Sequence, residues 1–313
     1  MNPKLGDAKV DKILSQFSQR YSNKMYIAEN ILLPMKVKEK TGKYAKYGSE
    51  NLRIYTDALF RAPGTRANSI DYSVSQGTYE CRERALEKRV PDEFVDNSDD
   101  PYDPKRDATS TIMDNIWANQ ENALATVMAD TAVLTKNTTL AGVDQWSDYT
   151  NSDPFDDIFA GVDTMRTNSA QLPNTIAMGY SVMKILKQHP DVREQLKYTG
   201  AGGNVSDGAF VQFLKDFFNI QNVLIGTAIK DSADEGQTAS LADIWGKHLW
   251  LLHINERPTL MQATFGYTFF DVPRKVETYR EESHVADVIR VRYSFDQNIM
   301  DANLAYLVKN AVA

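Results

Sequence analysis

The fold is decided by a central stretch that reads IMDNIWANQENALATVMADTAVL, from Ile112 to Leu134. Its apolar side chains recur every three or four residues, the spacing of one face of an α-helix. The residues of this stripe are Ile112, Met113, Ile116, Trp117, Ala123, Leu124, Val127, Met128 and Leu134. Thr111 and Asp114 have the spacing of a capping box at its start. The pattern predicts a rod-like helix at 109–135, about 25 residues and about 38 Å long.

Two segments before this helix lack a core of their own. Residues 1–24 are polar with scattered apolar positions whose spacing suits a short amphipathic turn of helix, which favours an arm without its own core. Residues 43–90 are rich in Tyr, Arg and Thr and contain a turn signal at 61–66, which predicts a long two-stranded excursion. Because neither segment can bury itself, we expect both to pack on neighbouring molecules.

Charged residues of both signs alternate along this excursion. The basic residues are Lys43, Lys46, Arg53, Arg61, Arg66, Arg82 and Arg84, and the acidic ones are Glu50, Asp57, Asp71, Glu80 and Glu83. The bases alone would suggest contact with nucleic acid, but their interleaving with acids favours salt-bridged protein contacts. The candidate subunit contacts are therefore Lys43, Lys46, Glu50, Arg53, Asp57, Arg61 and Arg66.

The sequence after the central helix alternates between helical and extended patterns. Helical faces around Phe155 and Phe210 alternate with short buried strands at 174–179 and 222–226, which predicts a compact α+β domain at about 155–260. Strand-like segments follow at 264–270 and 288–295, and the chain closes with an apolar segment containing Leu304, Leu307 and Val308.

Composition excludes several classes of protein. With 313 residues, 42% of them hydrophobic and 25% charged, the chain is an ordinary globular protein of one to three domains. The net charge of −7 and the pI near 5.2 argue against a protein that neutralises phosphates through a basic face. The start of the chain lacks a signal-peptide pattern and the densest apolar run, 248–254, is too short for a bilayer, so we expect a cytosolic protein without a membrane partner.

Cys81 is the only cysteine, which rules out an intrachain disulfide. We expect a buried, inert thiol, with an intersubunit bridge or a reactive nucleophile as the alternatives.

The residue patterns of known catalytic and metal sites do not occur. The histidines at 189, 248, 253 and 284 lack metal-ligand spacing, and the glycine cluster at 200–203 fails the dinucleotide fingerprint because Val205 occupies the third glycine position. The acidic, proline-punctuated loop at 96–104 could bind a hard cation, but it lacks the mid-loop glycine and the bidentate glutamate of an EF-hand, which favours a solvated loop. We predict no catalytic residue, cofactor or metal, and no enzymatic role.

Three segments carry a resemblance to a known family. They begin with Tyr26-Ile27-Ala28-Glu29-Asn30, Tyr79-Glu80-Cys81 and Leu172-Pro173-Asn174. In this order they resemble the major capsid proteins of tailed bacteriophages, over nearly the whole chain. The resemblance implies an α+β fold of the HK97-like class. Its expected parts are an N-terminal arm at 1–34, an extended β-hairpin loop at 35–95, a peripheral domain with the spine helix at 96–154, an axial domain at 155–260 and a return to the peripheral domain at 261–313.

The resemblance also implies a structural function, self-assembly into an icosahedral shell that encloses phage DNA. The expected partners are further copies in hexamers and pentamers, a separate scaffolding protein, a portal and double-stranded DNA held without sequence-specific binding. The expected location is the virion, after assembly in the host cytoplasm. Some members of the family crosslink a loop lysine to a neighbour's asparagine; Lys43 and Lys46 lie in the corresponding region, but no full site matches, and solvated lysines are favoured.

Two other functions stay open at this point. One is a different phage structural subunit, such as a tail-tube or connector protein. The other is a cytosolic enzyme with a site near the 200–203 loop.

Overall fold

The computed structural model describes residues 9–10, 14–15, 25–46, 60, 63–67, 75–97, 103–198, 206–233, 236–255 and 263–313. The helices of this part are α1 (Ala28–Ile31), α2 (Asp92–Asp96), α3 (Pro104–Met128), α4 (Pro154–Ser169), α5 (Tyr180–Gln188), α6 (Pro190–Tyr198) and α7 (Asp207–Phe218). The strands are β1 (Lys9–Val10), β2 (Leu33–Lys36), β3 (Thr41–Lys46), β4 (Ser75–Glu80), β5 (Arg82–Pro91), β6 (Asn137–Thr139), β7 (Thr175–Gly179), β8 (Asn222–Gly226), β9 (Ile229–Asp231), β10 (Leu241–Asp243), β11 (Leu249–Leu252), β12 (Gly266–Glu281), β13 (Ala286–Ile299) and β14 (Ala305–Lys309).

The first of two five-stranded sheets is built on a long hairpin of β12 and β13. Its strand order is β1-β12-β13-β5, and β2 pairs with β12 in parallel. Apolar residues alternate along β13, so Ile289 and Val291 face a common core with Val276 of β12. The alternating segments that predicted two strands after residue 260 are confirmed as this hairpin.

The second sheet has the order β6-β14-β11-β7-β8. Its end pairs, β6 with β14 and β7 with β8, are parallel, and the inner pairs are antiparallel. Helices α4, α5, α6 and α7 cover one face, where Ile158, Met183 and Phe210 bury themselves against Met178 and Leu251. The mixture of helices and sheet predicted for 155–260 is confirmed, because strand and helix alternate here with short connections.

Helix α3 joins the two sheets. Its N-terminal half contributes Ile112 and Ile116 to the core of the first sheet. Its C-terminal end contributes Leu124 and Met128 to a core that contains Trp250 of the second sheet. A single rod therefore fixes the position of one sheet relative to the other.

The spine helix has the predicted length of 25 residues but starts earlier than predicted. Asp103 accepts hydrogen bonds from the backbone N–H groups of Lys105 and Arg106, and Pro104 occupies the first helical position. Thr111 instead donates its hydroxyl to the Asp107 carbonyl within the helix. The helix ends at Met128, so Leu134 packs from the following turn, and Val127 is 43% exposed instead of belonging to the stripe.

Two strands pair differently from the domain order that the resemblance implies. Strand β5 falls within the range expected for the extended loop, yet it pairs along its whole length with β13 of the first sheet. The terminal strand β14 follows the returning strands, yet it pairs with β11 and β6 in the second sheet. Both differences arise from backbone pairing over long sequence distances, which the local pattern of a strand does not specify.

Candidate subunit interface

The extended loop is anchored by a two-stranded root. Strands β3 and β4 pair antiparallel from Thr41 with Glu80 to Lys46 with Ser75. Tyr44 and Tyr79 lie on one face of this hairpin and pack on Phe269 of β12, with ring centroids 5.4 and 4.8 Å away. Burial raises the pKa of both tyrosines. The root is therefore packed on the first sheet through aromatic contacts, and most of the predicted loop between β3 and β4 lies outside the described residues.

The candidate contact residues are only partly described. Lys43 is exposed on the outer face of β3, whereas Lys46 lies on the opposite face with its Nζ 5.7 Å from the centre of the Tyr44 ring. Arg66 is exposed in the loop. The remaining candidates, Glu50, Arg53, Asp57 and Arg61, lie outside the described residues. The root therefore sends its two lysines in different directions and does not gather them at one contact.

Many charges of the excursion pair within the chain. Arg292 of β13 donates to Glu83 at 2.5 Å and to Glu277 at 3.0 Å, which lowers the pKa of Glu83. Arg290 reaches Glu87 at 3.0 Å. These pairs form a ladder across β5, β13 and β12 on one face of the first sheet. The sequence assigned the charged residues of this region to contacts between protein molecules. In β5, however, Glu83 and Glu87 pair with arginines of β13 in the same sheet.

A buried carboxylate ties the short helix α1 to the spine helix α3. Glu121 of α3 accepts hydrogen bonds from the backbone N–H groups of Ile27 and Ala28, at 2.7 and 2.8 Å. It also accepts the indole N–H of Trp245 at 2.5 Å. Burial raises the pKa of Glu121, and the three donors act against that rise.

Glu121 therefore caps α1 from across the fold, because the short helix has no side-chain cap of its own. Sequence reasoning missed this residue. The available signal was a carboxylate that falls beside the apolar stripe of the predicted helix.

The histidines that the sequence offered as candidates for catalysis or metal binding lie apart from one another and bind different partners. His189 is buried with Nε2 3.2 Å from the Ser152 hydroxyl, while His253 contacts the Leu172 carbonyl and His248 the Asn310 N–H. Within the described ranges, three or more His, Cys, Asp or Glu side chains nowhere gather in a way that could hold a metal ion. The glycine cluster at 200–203 lies outside those ranges, as do Asp99 and Asp100 of the acidic loop.

Two further features are clear. Cys81 is buried at 4% exposure, and burial raises the pKa of its thiol to about 11. Over the part of the chain that the structure describes, no helix has both the length and the apolar character needed to cross a membrane.

The chain is similar over nearly its whole length to individual known proteins, although not to a family model. No protein-family model matches the chain. The chain is 25% identical over 307 residues to the major capsid protein of Burkholderia phage BcepMu, covering 96% of this chain and 95% of the relative.

Two solved structures share the fold. The crystal structure of a phage-related protein from Bordetella bronchiseptica RB50 is similar with a TM-score of 0.77 and 24% identity, over 97% of this chain and 98% of that one. The mature capsid of bacteriophage PhiM1 is similar with a TM-score of 0.56 and 11% identity, over 99% and 92%. The resemblance inferred from the sequence is thus confirmed. The chain has the HK97-like fold of phage capsid subunits and is homologous along nearly its whole length to a phage major capsid protein.

Proposed function

We propose that the chain is the major structural subunit of an icosahedral phage head, which encloses double-stranded DNA. The observation that carries the proposal is the similarity to a major capsid protein over 96% of the chain, joined to a fold in which the β3–β4 hairpin packs on the first sheet at the base of the predicted extended loop. A subunit with such an appendage gains buried surface by packing on further copies. Its role is structural, and no step of the proposal needs a catalytic group.

The two sheets correspond to the two domains of the proposed capsid subunit. In the proposal, the first sheet and the N-terminal half of α3 form the peripheral domain, and the second sheet with its helices forms the axial domain. The boundaries 1–34, 35–95, 96–154, 155–260 and 261–313 stay predictions, and the pairing of β14 with β11 supports assigning Ala305–Lys309 to the axial part instead of the peripheral part. Because α3 enters both cores, movement of one domain would be transmitted to the other.

The proposed assembly consists of hexamers and pentamers that form with a separate scaffolding protein around a portal, in the host cytoplasm. Many modest contacts closed by symmetry make such a shell stable while each contact remains reversible. The balanced ladder of Arg and Glu on the first sheet and the net charge of −7 support a container that encloses DNA without reading its sequence.

The test is electron microscopy of the purified protein, alone and co-expressed with a candidate scaffolding protein. Closed shells or rings of five and six subunits are expected. Tubes or single rings of another symmetry would support a tail-tube or connector protein, and a monomer at every concentration would contradict a shell.

A loop variant tests the mechanism. Replacing residues 50–70 by a short Gly-Ser linker should prevent shell assembly while thermal unfolding shows that the two sheets remain folded. A linker of the same composition inserted after Gly236, in the turn between β9 and β10, is the matched control. Normal shells from the loop variant would refute the role given to the loop.

A further inference from the structure

Strand β5 carries a basic row on its free edge. Successive side chains of a strand point to opposite faces, so Arg82, Arg84, Leu86 and Lys88 share one face and the ladder acids Glu83 and Glu87 share the other. Leu86 is 43% exposed at the centre of the row. β5 hydrogen-bonds only to β13 among the described strands, so this row lies at the margin of the first sheet.

Arg84 is held on the first sheet by an aromatic ring and a carbonyl, near Asp296 but without a salt bridge among the described residues. Its guanidinium lies 4.0 Å from the centre of the Phe295 ring and donates to the Phe295 carbonyl at 3.0 Å. Within the described residues, neither Arg84 nor Lys88 forms a salt bridge, whereas Arg82 reaches Glu80 at 2.9 Å. Arg84 and Lys88 lie about 13 Å apart along the strand. The row thus presents two positive charges, the anchored Arg84 and the exposed Lys88, on either side of an exposed leucine.

An apolar surface with an acidic rim lies on two of the helices that cover the second sheet. Phe155 and Phe159 of α4 contact Phe217 and Phe218 of α7, with ring centroids 4.8–6.0 Å apart. We call these four residues the phenylalanine patch. Phe159 is 44% exposed and Phe217 is 37% exposed. Exposed phenylalanines in contact with one another are a feature of protein interfaces, because their rings gain most from leaving water.

The rim of this patch is acidic. Asp156 and Asp163 lie three residues before and four residues after Phe159, hence on the same face of α4, about 10 Å apart. Asp216, beside Phe217, is also exposed. The sequence carries no Lys or Arg between Lys136 and Arg166, so the only nearby compensation on α4 is Arg166, 3.7 Å from Asp163.

Resting on the proposed function, we infer that the basic row of β5 docks on the phenylalanine patch of a second copy of this chain, with Leu86 against the rings and Arg84 and Lys88 against Asp156 and Asp163. The charges are complementary, the spacings are similar, and each surface is apolar at its centre. The row lies on the first sheet, the patch lies on helices that cover the second sheet, and both are exposed in the single chain, so the proposed contact joins two copies.

Because the two surfaces differ, the contact is heterologous. A heterologous contact repeats from copy to copy and forms a ring when the rotation between copies closes, as the proposed hexamers and pentamers require. DNA is a poorer occupant of the row, since a phosphate backbone offers nothing to Leu86 and gives no role to the acidic patch.

Charge reversal on the full chain tests the pairing. One variant carries Arg84→Glu with Lys88→Glu, a second carries Asp156→Lys with Asp163→Lys, and a third carries all four changes. Each two-site variant should raise the protein concentration needed for shell assembly about tenfold, and the four-site variant should recover most of that loss. The two two-site variants mixed together should also assemble better than either alone, because each supplies the surface that complements the other.

Controls make the outcome decisive. Lys184→Glu with Lys197→Glu applies the same charge change to exposed residues of α5 and α6 and should leave assembly unchanged. Replacing Arg84 also removes its packing on Phe295 within the chain, so Lys88→Glu is measured alone as well. Thermal unfolding checks that each variant is folded. Equal losses in the control, normal assembly of both two-site variants, or no recovery in the four-site variant would each overturn the inference.

Two further outcomes are separable. If the β5 variant loses affinity for random-sequence double-stranded DNA in fluorescence anisotropy while the patch variant assembles normally, the row binds DNA and the inference is wrong. If the unmodified protein forms no shell or ring at all, the proposed function itself fails.

Discussion

The ring of Tyr79 covers Gly42 on the opposite strand of the hairpin root, so closely that a Cβ added to Gly42 would stand 2.5 Å from the phenolic oxygen. The arrangement recurs two residues along, where Tyr44 covers Gly77. An aromatic ring over a cross-strand glycine shields the backbone and defines the register of the pair. Since both tyrosines also pack on Phe269, the hairpin root is held firmly on the first sheet.

Gly42→Ala should destabilise the protein by about 1–3 kcal/mol, because the new methyl group meets a ring that Phe269 prevents from retreating. The measurement is urea unfolding followed by fluorescence. In a Tyr79→Ala background the same substitution should cost at least about 0.5 kcal/mol less, because the obstructing ring is gone. Strictly additive effects would contradict the contact. Thr41→Val, on the exposed face of the same strand, is the control and should change stability by no more than about 0.5 kcal/mol.

Glu121→Gln should lower the free energy of unfolding by about 2–4 kcal/mol. The glutamine side chain keeps one acceptor oxygen, but its NH2 group would face an N–H donor that the carboxylate now accepts. The midpoint of urea unfolding reports the loss. Asn119→Gln, two residues earlier on the exposed side of α3, should leave the midpoint nearly unchanged. An unaltered midpoint in the Glu121 variant would show that the carboxylate is not needed to hold α1 and Trp245.

The ladder of salt bridges on the first sheet should make the protein less stable as the pH falls below about 4. The Arg292 guanidinium donates a hydrogen bond to Glu83 and thereby lowers the pKa of that carboxyl in the folded chain. A carboxyl with a lowered folded-state pKa contributes stability above its ordinary pKa, about 4.3, and loses it as the pH falls through the folded-state value.

Glu83→Gln should therefore lower stability at pH 7 and flatten its decline below about pH 4, as measured by urea midpoints across the pH range. Glu39→Gln, an exposed carboxylate between β2 and β3, is the control and should retain the decline. Parallel pH profiles for the Glu83 variant and the unmodified chain would refute the linkage.

Cys81 should be unreactive in the folded protein. Because its thiol is buried and its pKa is raised to about 11, little thiolate exists at pH 8. A thiol reagent should label the folded chain at least about a hundredfold more slowly than the urea-unfolded chain. Fast, stoichiometric labelling without denaturant would favour the reactive thiol that the sequence left open.

Local pattern was sufficient to predict most elements. The three-to-four spacing at 112–128 predicted a long helix, and alternation predicted the strands that became β12 and β13. These features depend on side chains that are close together in the sequence, so a short stretch of sequence is enough to predict them. The start of α3 was placed too late because Asp103 and Pro104 were assigned to the acidic loop, although together they form an N-cap.

The sequence by itself thus determined which segments are helix or strand, which face of each is apolar, and that the chain resembles capsid proteins. The tertiary structure alone decided which segments meet. Glu87 and Arg290 pair across 203 residues, and Glu121 holds Ile27 from 94 residues away. The pattern of one strand indicates its buried face but leaves its partner open, because partner choice depends on the packing of the whole chain. For the same reason, only the folded chain shows that β5 presents a basic row at a sheet edge and that two helices bring four phenylalanines together.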